Sequence, residues 1–225
     1  MMAANLFGFK DEFFGSGSLQ ASPGGGDRWD VTDTSSSGTP TYAYATNVET
    51  GGLSLAHSST SEAQNVCLSF GDTLSMDIDR LRSVKCRVKL SQATFDSASS
   101  LAIGVASARN DDIDTIAEQA LFRLVGSTAI VAETDDGSVN RDDIATGTTL
   151  SQDIATLCIS FASGTSDVRF YVGIGDGGLK RVCRGTTFDM SSYSGSLQPY
   201  IQLQKTSDSN ADGVLIDMYE IIGAK

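Results

Sequence analysis

The sequence predicts an all-β protein whose antiparallel strands pack as a sandwich or barrel, and three observations carry that reading. Short runs alternate apolar and polar residues with the two-residue period of a half-buried strand. Clusters of Gly, Ser, Asp and Asn separate those runs at turn-like spacing. Windows that favour helix are scarce, and proline is confined to Pro23, Pro40 and Pro199. With 40% hydrophobic and 20% charged residues, the chain can bury a core, which excludes collagen, a long coiled coil and a highly charged disordered protein.

Residues 1–45 read as an irregular N-terminal arm, because 15–40 are rich in Gly, Ser, Thr and Asp and interrupted by Trp29. No composition break follows, so 46–225 read as one domain. Val84, Cys86, Val88 and Leu90 alternate with Lys85, Arg87 and Lys89, a strand with one basic face. Asp111 to Gln119 is the best helix candidate, with an acidic loop equally credible. Leu157, Ile159 and Phe161 alternate with Cys158 and Ser160; Phe170, Val172 and Ile174 alternate with Arg169 and Tyr171. Ile201 and Leu203 alternate with Tyr200, Gln202 and Gln204, and Val214 to Ile222 is strongly β-prone. Turn signals fall at Asp135-Asp136-Gly137, Ser163-Gly164, Gly175 to Gly178 and Ser207 to Gly213.

The formal net charge of -12 repels phosphate backbones, so nucleic acid is not an expected partner. No apolar run approaches the roughly 18 residues of a membrane helix, so no membrane partner is expected. The N-terminus lacks a basic leader and a continuous apolar segment, so no secretory signal is expected. The cysteines, Cys67, Cys86, Cys158 and Cys183, form no CxxC pair and read as free buried thiols of a reducing compartment. A single histidine, His57, removes most histidine-based catalysis and zinc binding, and it reads as an exposed polar residue.

Each chemical motif is weaker than it looks. Gly173 to Gly178 satisfies GxGxxG, but a strand-like Leu179-Lys-Arg-Val-Cys183 follows where a dinucleotide site needs a helix, so a glycine-rich turn is expected. Asp208, Asn210 and Asp212 with Gly213 open like a calcium loop. The twelfth position is Tyr219 with Glu220 one residue late, so a plain acidic tip is expected over a structural calcium. A two-carboxylate glycosidase would place acids on one strand face. Asp217 and Glu220 lack the first acid, which is Leu215, and Glu133-Thr-Asp135 stops at Asp136-Gly137. The chain therefore reads as no enzyme. Tyr42 and Tyr44 share one face of a short strand; sheet packing or a subunit contact is favoured over glycan stacking.

Several segments in order resemble a family: DEFFG at Asp11 to Gly15, Trp29, GGLSL at Gly51 to Leu55, and DIDRLRSVKCRVKL at Asp77 to Leu90. TFDMS around Phe188, LQPYIQLQK at Leu197 to Lys205 and VLIDMYEI at Val214 to Ile221 complete the pattern. The chain resembles the concanavalin A-like, laminin G-like jelly-roll β-sandwiches among virion proteins of tailed bacteriophages. That resemblance implies a capsid decoration or cement protein, made in the host cytoplasm and located on the capsid surface. Its implied partners are the major capsid protein and other copies of itself, a homotrimer before a dimer. Phe7, Phe9, Phe13 and Phe14 would be apolar anchors of the arm, balanced against a place in the domain's own core. The alternative is a carbohydrate-binding, lectin-like domain of a tail fibre or other receptor-binding virion protein.

Overall fold

The computed structural model describes residues 6–19, 29–46, 51–72 and 76–224. Its strands in chain order are β1 (Leu6–Asp11), β2 (Asp30–Asp33), β3 (Thr41–Tyr44), β4 (Leu53–Ala56), β5 (Gln64–Ser69), β6 (Met76–Asp77), β7 (Leu81–Leu90) and β8 (Ser99–Ala106). There follow β9 (Glu118–Val125), β10 (Ala129–Asp136), β11 (Asn140–Thr149), β12 (Ala155–Ser160), β13 (Arg169–Ile174), β14 (Lys180–Arg181), β15 (Ser196–Lys205) and β16 (Gly213–Ala224). They form two antiparallel sheets. The first runs β14-β13-β12-β7-β16-β4-β3, with β1 also on β16; the second runs β11-β10-β9-β8-β15-β5-β2, with β6 on β15. No helix among the described residues is long and apolar enough to cross a membrane.

Alternation in sequence becomes a core by the pleat. Val84, Cys86, Val88 and Leu90 of β7 are buried, as are Val214, Ile216, Tyr219 and Ile221 of its neighbour β16. The shift from even to odd numbering marks a register break between Ile216 and Met218. That break frees Asp217 to pair with Arg87 at 2.9 Å, an acid–base contact at the bulge rather than a carboxylate row. Across the core, Leu101, Ile103, Phe122, Leu124, Ile201 and Leu203 supply the second sheet's inner face. At Gly104 an added Cβ would lie 2.1 Å from the Ala120 carbonyl oxygen, so only glycine lets β8 and β9 approach this closely.

Four expectations are corrected. The stretch expected as an irregular arm contributes strands to both sheets: β1 on β16, β2 on β5 and β3 on β4. The reason is aromatic. Trp29 packs on Phe9, Phe13 and Tyr219 at ring distances of 5.6, 5.9 and 5.2 Å, and its Nε1 donates to Asp11 Oδ2 at 3.0 Å. Phe9 and Phe13 are therefore core residues, not anchors for a partner, whereas Phe14 stays exposed; Phe7 sits on β1 with its side chain outside the described residues. The helix candidate at Asp111 to Gln119 is a single 3-10 turn, Ile113–Thr115, running into β9, because Asp112 caps it and β9 claims the rest. His57 is buried, its backbone N–H donating to the Asp212 carbonyl at 2.8 Å. Lastly, Cys183 is half-buried while Cys67, Cys86 and Cys158 are buried free thiols.

Candidate functional site

The second sheet has an outer face that the alternation pattern underestimates. Gln198, Tyr200 and Gln202 alternate with the core residues of β15 and should face solvent, yet all are fully buried. The 107–117 segment roofs them. Ile113 and Ile116 pack on Cys67, Ala102, Ala106, Leu121 and Tyr200 as a small second core. Beside it the polar groups satisfy one another, as burial demands. Gln202 Nε2 donates to Asn65 Oδ1 at 2.8 Å and to the Asp111 carbonyl at 3.2 Å, and the Tyr200 hydroxyl donates to the Asn110 carbonyl at 3.2 Å. Gln198 Oε1 accepts the backbone N–H groups of Phe70 and Asp72 at 3.0 and 3.1 Å.

Where the roof stops, this network opens into a hollow of about 350 Å³ lined by Thr34, Ser36, Asn65, Asp111, Gln204 and Thr206 among others. Its groups are held in place. Asp111 Oδ1 accepts from Thr34 Oγ1 at 2.7 Å and from Asn65 Nδ2 at 3.0 Å, and Asp111 also pairs with Arg109. Amide, carboxylate and hydroxyl groups fixed by their neighbours can take hydrogen bonds from, or give them to, ligand hydroxyls without first paying to order themselves.

One wall is Lys205. Its ammonium lies inside a cage of four backbone carbonyls that share its three N–H donors, those of Ser58 and Thr60 at 2.7 Å each, Asp208 at 2.8 Å and Asn210 at 3.0 Å. Burial pulls its pKa down, against the pull of Asp208 and Asp212. Two residues of the segment that opens like a calcium loop, Asp208 and Asn210, thus turn their backbone carbonyls to a side-chain cation. The segment's carboxylates and amide do not converge: Asp208 Oδ1 accepts the Asn210 N–H at 2.7 Å, and Asn210 Nδ2 reaches Asp96 Oδ2 at 2.6 Å. Asp212 is taken by Gln92 Nε2 at 2.7 Å and by Ser99 Oγ at 2.6 Å. Near this loop, burial and the Lys205 charge push the His57 ring down to about 4. The Leu203 carbonyl opposes that shift, but neither ring nitrogen reaches hydrogen-bond geometry with a partner.

The same outer face carries a buried ion pair that the sequence did not reveal. Arg123 Nη1 donates to Glu133 Oε2 at 3.0 Å and also pairs with Asp114 from the roof. Burial outweighs the guanidinium and, helped by Asp143 and Asp142, pushes the Glu133 carboxyl up to about 7. For Arg123 the two carboxylates outweigh burial and its pKa rises. Glu133 is only 1% exposed and its Oε1 has no hydrogen-bond partner. The only signal in the sequence was Glu133 itself, singled out as half of a broken acid pattern.

Tyr42 and Tyr44 lie opposite the core residues Leu55 and Leu53 on the neighbouring strand and pack against the main core, so they supply sheet packing on this chain. The Gly173 to Gly178 segment is the hairpin turn between β13 and β14.

No family model matches the chain, and no curated protein matches it in sequence. Solved structures match it in fold. A Shewanella oneidensis protein of unknown function superposes with a TM-score of 0.64 at 9% identity, over 100% of this chain and 89% of that one. A laminarinase from Flavobacterium gives 0.60 at 12% identity, over 95% and 98%. Peanut lectin gives 0.58 at 9% identity, over 98% of each chain.

Proposed function

The fold is a concanavalin A-like jelly-roll β-sandwich, and from that premise we propose that the chain is a non-catalytic carbohydrate-binding domain displayed on a virion surface. The observation that carries the reading is the pre-ordered polar hollow of Thr34, Asn65, Asp111 and Gln204 beside the roofed sheet face. The neighbours support the ligand class, since they include the carbohydrate recognition domain of Emp47p and a lectin complexed with galactose. The virion location comes from the sequence resemblance. The non-catalytic part is supported by Glu133, whose carboxyl burial pushes up to about 7 but whose side chain is closed off from solvent and so from a substrate.

None of the residues lining the hollow is aromatic, so one site binds weakly and avidity has to come from repetition. A homotrimer or a particle surface would supply it. The test is a glycan array followed by titration of the best hit with wild type, Asn65→Ala and Gln204→Ala. Retention lost in both variants, measured well below the melting transition of each, supports the proposal. No retained glycan, together with pelleting of the protein with undecorated capsids at low salt, replaces it with capsid decoration through the major capsid protein.

A further inference from the structure

The β13–β14 edge of the first sheet gathers positive charge in a chain of net charge -12. Lys180, Arg181 and Arg184 fall within five residues, and from 169 to 184 four basic residues face one acid, Asp176. They border a cleft of about 420 Å³ together with Thr148, Gly173 and Gly178, which is the scale of a small-ligand site. The glycines set its floor. A Cβ on Gly173 would come 2.7 Å from the Gly177 carbonyl oxygen and push the turn outward.

The charges there are poorly neutralised. Lys180 forms no ion pair among the described residues, and Arg184 only donates its Nε to the Arg181 carbonyl at 3.3 Å. Arg181 reaches Asp167 at 3.7 Å, but that carboxylate is already held by Arg169 Nε at 2.9 Å, and Arg181 Nε is buried with no acceptor. A buried donor without a partner beside two unpaired cations is an arrangement that an oxyanion would complete.

We infer that the β13–β14 hairpin is a second binding site, for the sulfate or carboxylate groups of an acidic polysaccharide. Guanidinium forks fit both oxyanions, and a groove of three cations suits a chain whose charges are spaced by sugar units. A nucleic acid duplex, with a charge about every 1.7 Å, extends past this groove and is repelled by the net charge of -12 of the chain. The oxyanion chemistry stands on this groove alone; the choice of a sugar chain as its carrier rests on the lectin-like reading.

The experiment measures the full chain by biolayer interferometry on immobilised dextran sulfate, polygalacturonate, neutral dextran and duplex DNA, each over a salt series. Binding to the sulfated or the uronate polymer, lost as salt rises and absent on neutral dextran, is the expected result. The double variant Lys180→Glu/Arg184→Glu should weaken it at least about tenfold with unchanged melting, whereas Asn65→Ala should leave it intact. No binding to either acidic polymer, binding indifferent to the double variant, or equal binding to DNA overturns the inference. A neutral glycan still held at the hollow would then leave the lectin-like proposal standing.

Discussion

Replacing Lys205 by methionine tests whether the carbonyl cage is held together by its ammonium. Methionine keeps the apolar stem of lysine out to Cε and removes the ammonium with its charge and donors. Hydrogen bonds to a charged group contribute about 1.5–3 kcal/mol each, and four carbonyls lie within 3.0 Å. The sum overstates the loss, because the ammonium is itself desolvated, as its lowered pKa records, and the exposed Asn210 segment can rehydrate its carbonyl. A net loss of about 3 kcal/mol follows from roughly two of those bonds going uncompensated. For a chain of this size that is a fall of about 6–12 °C in melting temperature, read by calorimetry. Lys205→Arg should fare no better, since a planar fork does not fit a cage closed around a point charge. Lys205→Ala should recover part of its loss in millimolar methylammonium. A fall under about 2 °C for Lys205→Met, or no rescue by methylammonium, would refute the reasoning.

Glu133 has the opposite sign from an ordinary paired acid. Its carboxyl is pushed up to about 7 in the fold, so between about 4.5 and about 7 the native state keeps a proton that the unfolded chain has released. Stability contributed by this group therefore falls as pH rises through that window. Glu133→Gln should melt progressively higher than wild type from pH 5 to pH 8, by about 3 kcal/mol at most; a constant difference would contradict the shift. Comparing variant with wild type cancels His57, whose depressed pKa makes stability rise from about 4 to about 6.5. Deleting residues 1–15 should cost far more than a loose arm would, since Phe9 and Phe13 each contribute about 1.5–3 kcal/mol of burial and one edge of β16, from Tyr219 to Ala224, loses its β1 partner; unchanged melting would contradict the aromatic account. Native protein should titrate one thiol per chain, that of Cys183, because it alone of the four is half-exposed; burial raises all four thiols, pushing Cys67 up to about 12. Millimolar calcium should leave melting unchanged, and a reproducible rise would mean that Asp208 and Asp212 can leave their present partners.

The two sheets were not equally legible in the sequence. Lys85, Arg87 and Lys89 read directly as the polar face of β7, because the first sheet presents that face to water. Tyr200 and Gln202 read the same way but are buried, because period-two alternation reports the core only where the opposite face meets solvent. What roofs that face, Ile113 and Ile116, lies about 90 residues away in a stretch whose acidic composition suggested a helix or loop. No local pattern announces that contact. The N-terminal stretch was misread for a related reason: Gly, Ser and Thr around Trp29 look unstructured until Tyr219, near the other end of the chain, gives the indole something to pack on.

The cation loop shows the same limit at a functional scale. Asp208, Asn210, Asp212 and Gly213 have the residue types and spacing of an oxygen cage, and the structure does build a cage of oxygens there. Its oxygens are backbone carbonyls from two segments, and the cation is Lys205, three residues before the motif and on the strand that leads into it. A carbonyl cage of neutral oxygens suits a single positive charge, whereas a divalent ion calls for carboxylates. The acids of the motif therefore serve a different end. Asp208 turns its own backbone and Asp212 ties Gln92 and Ser99 together. By anchoring the 206–212 loop against the 58–60 turn, the ammonium fixes one wall of the hollow without a metal. If that wall shapes the sugar site, Lys205→Met should lower glycan affinity even below its own melting transition, while Asp208→Asn, which keeps the turn and leaves the ammonium caged, should not.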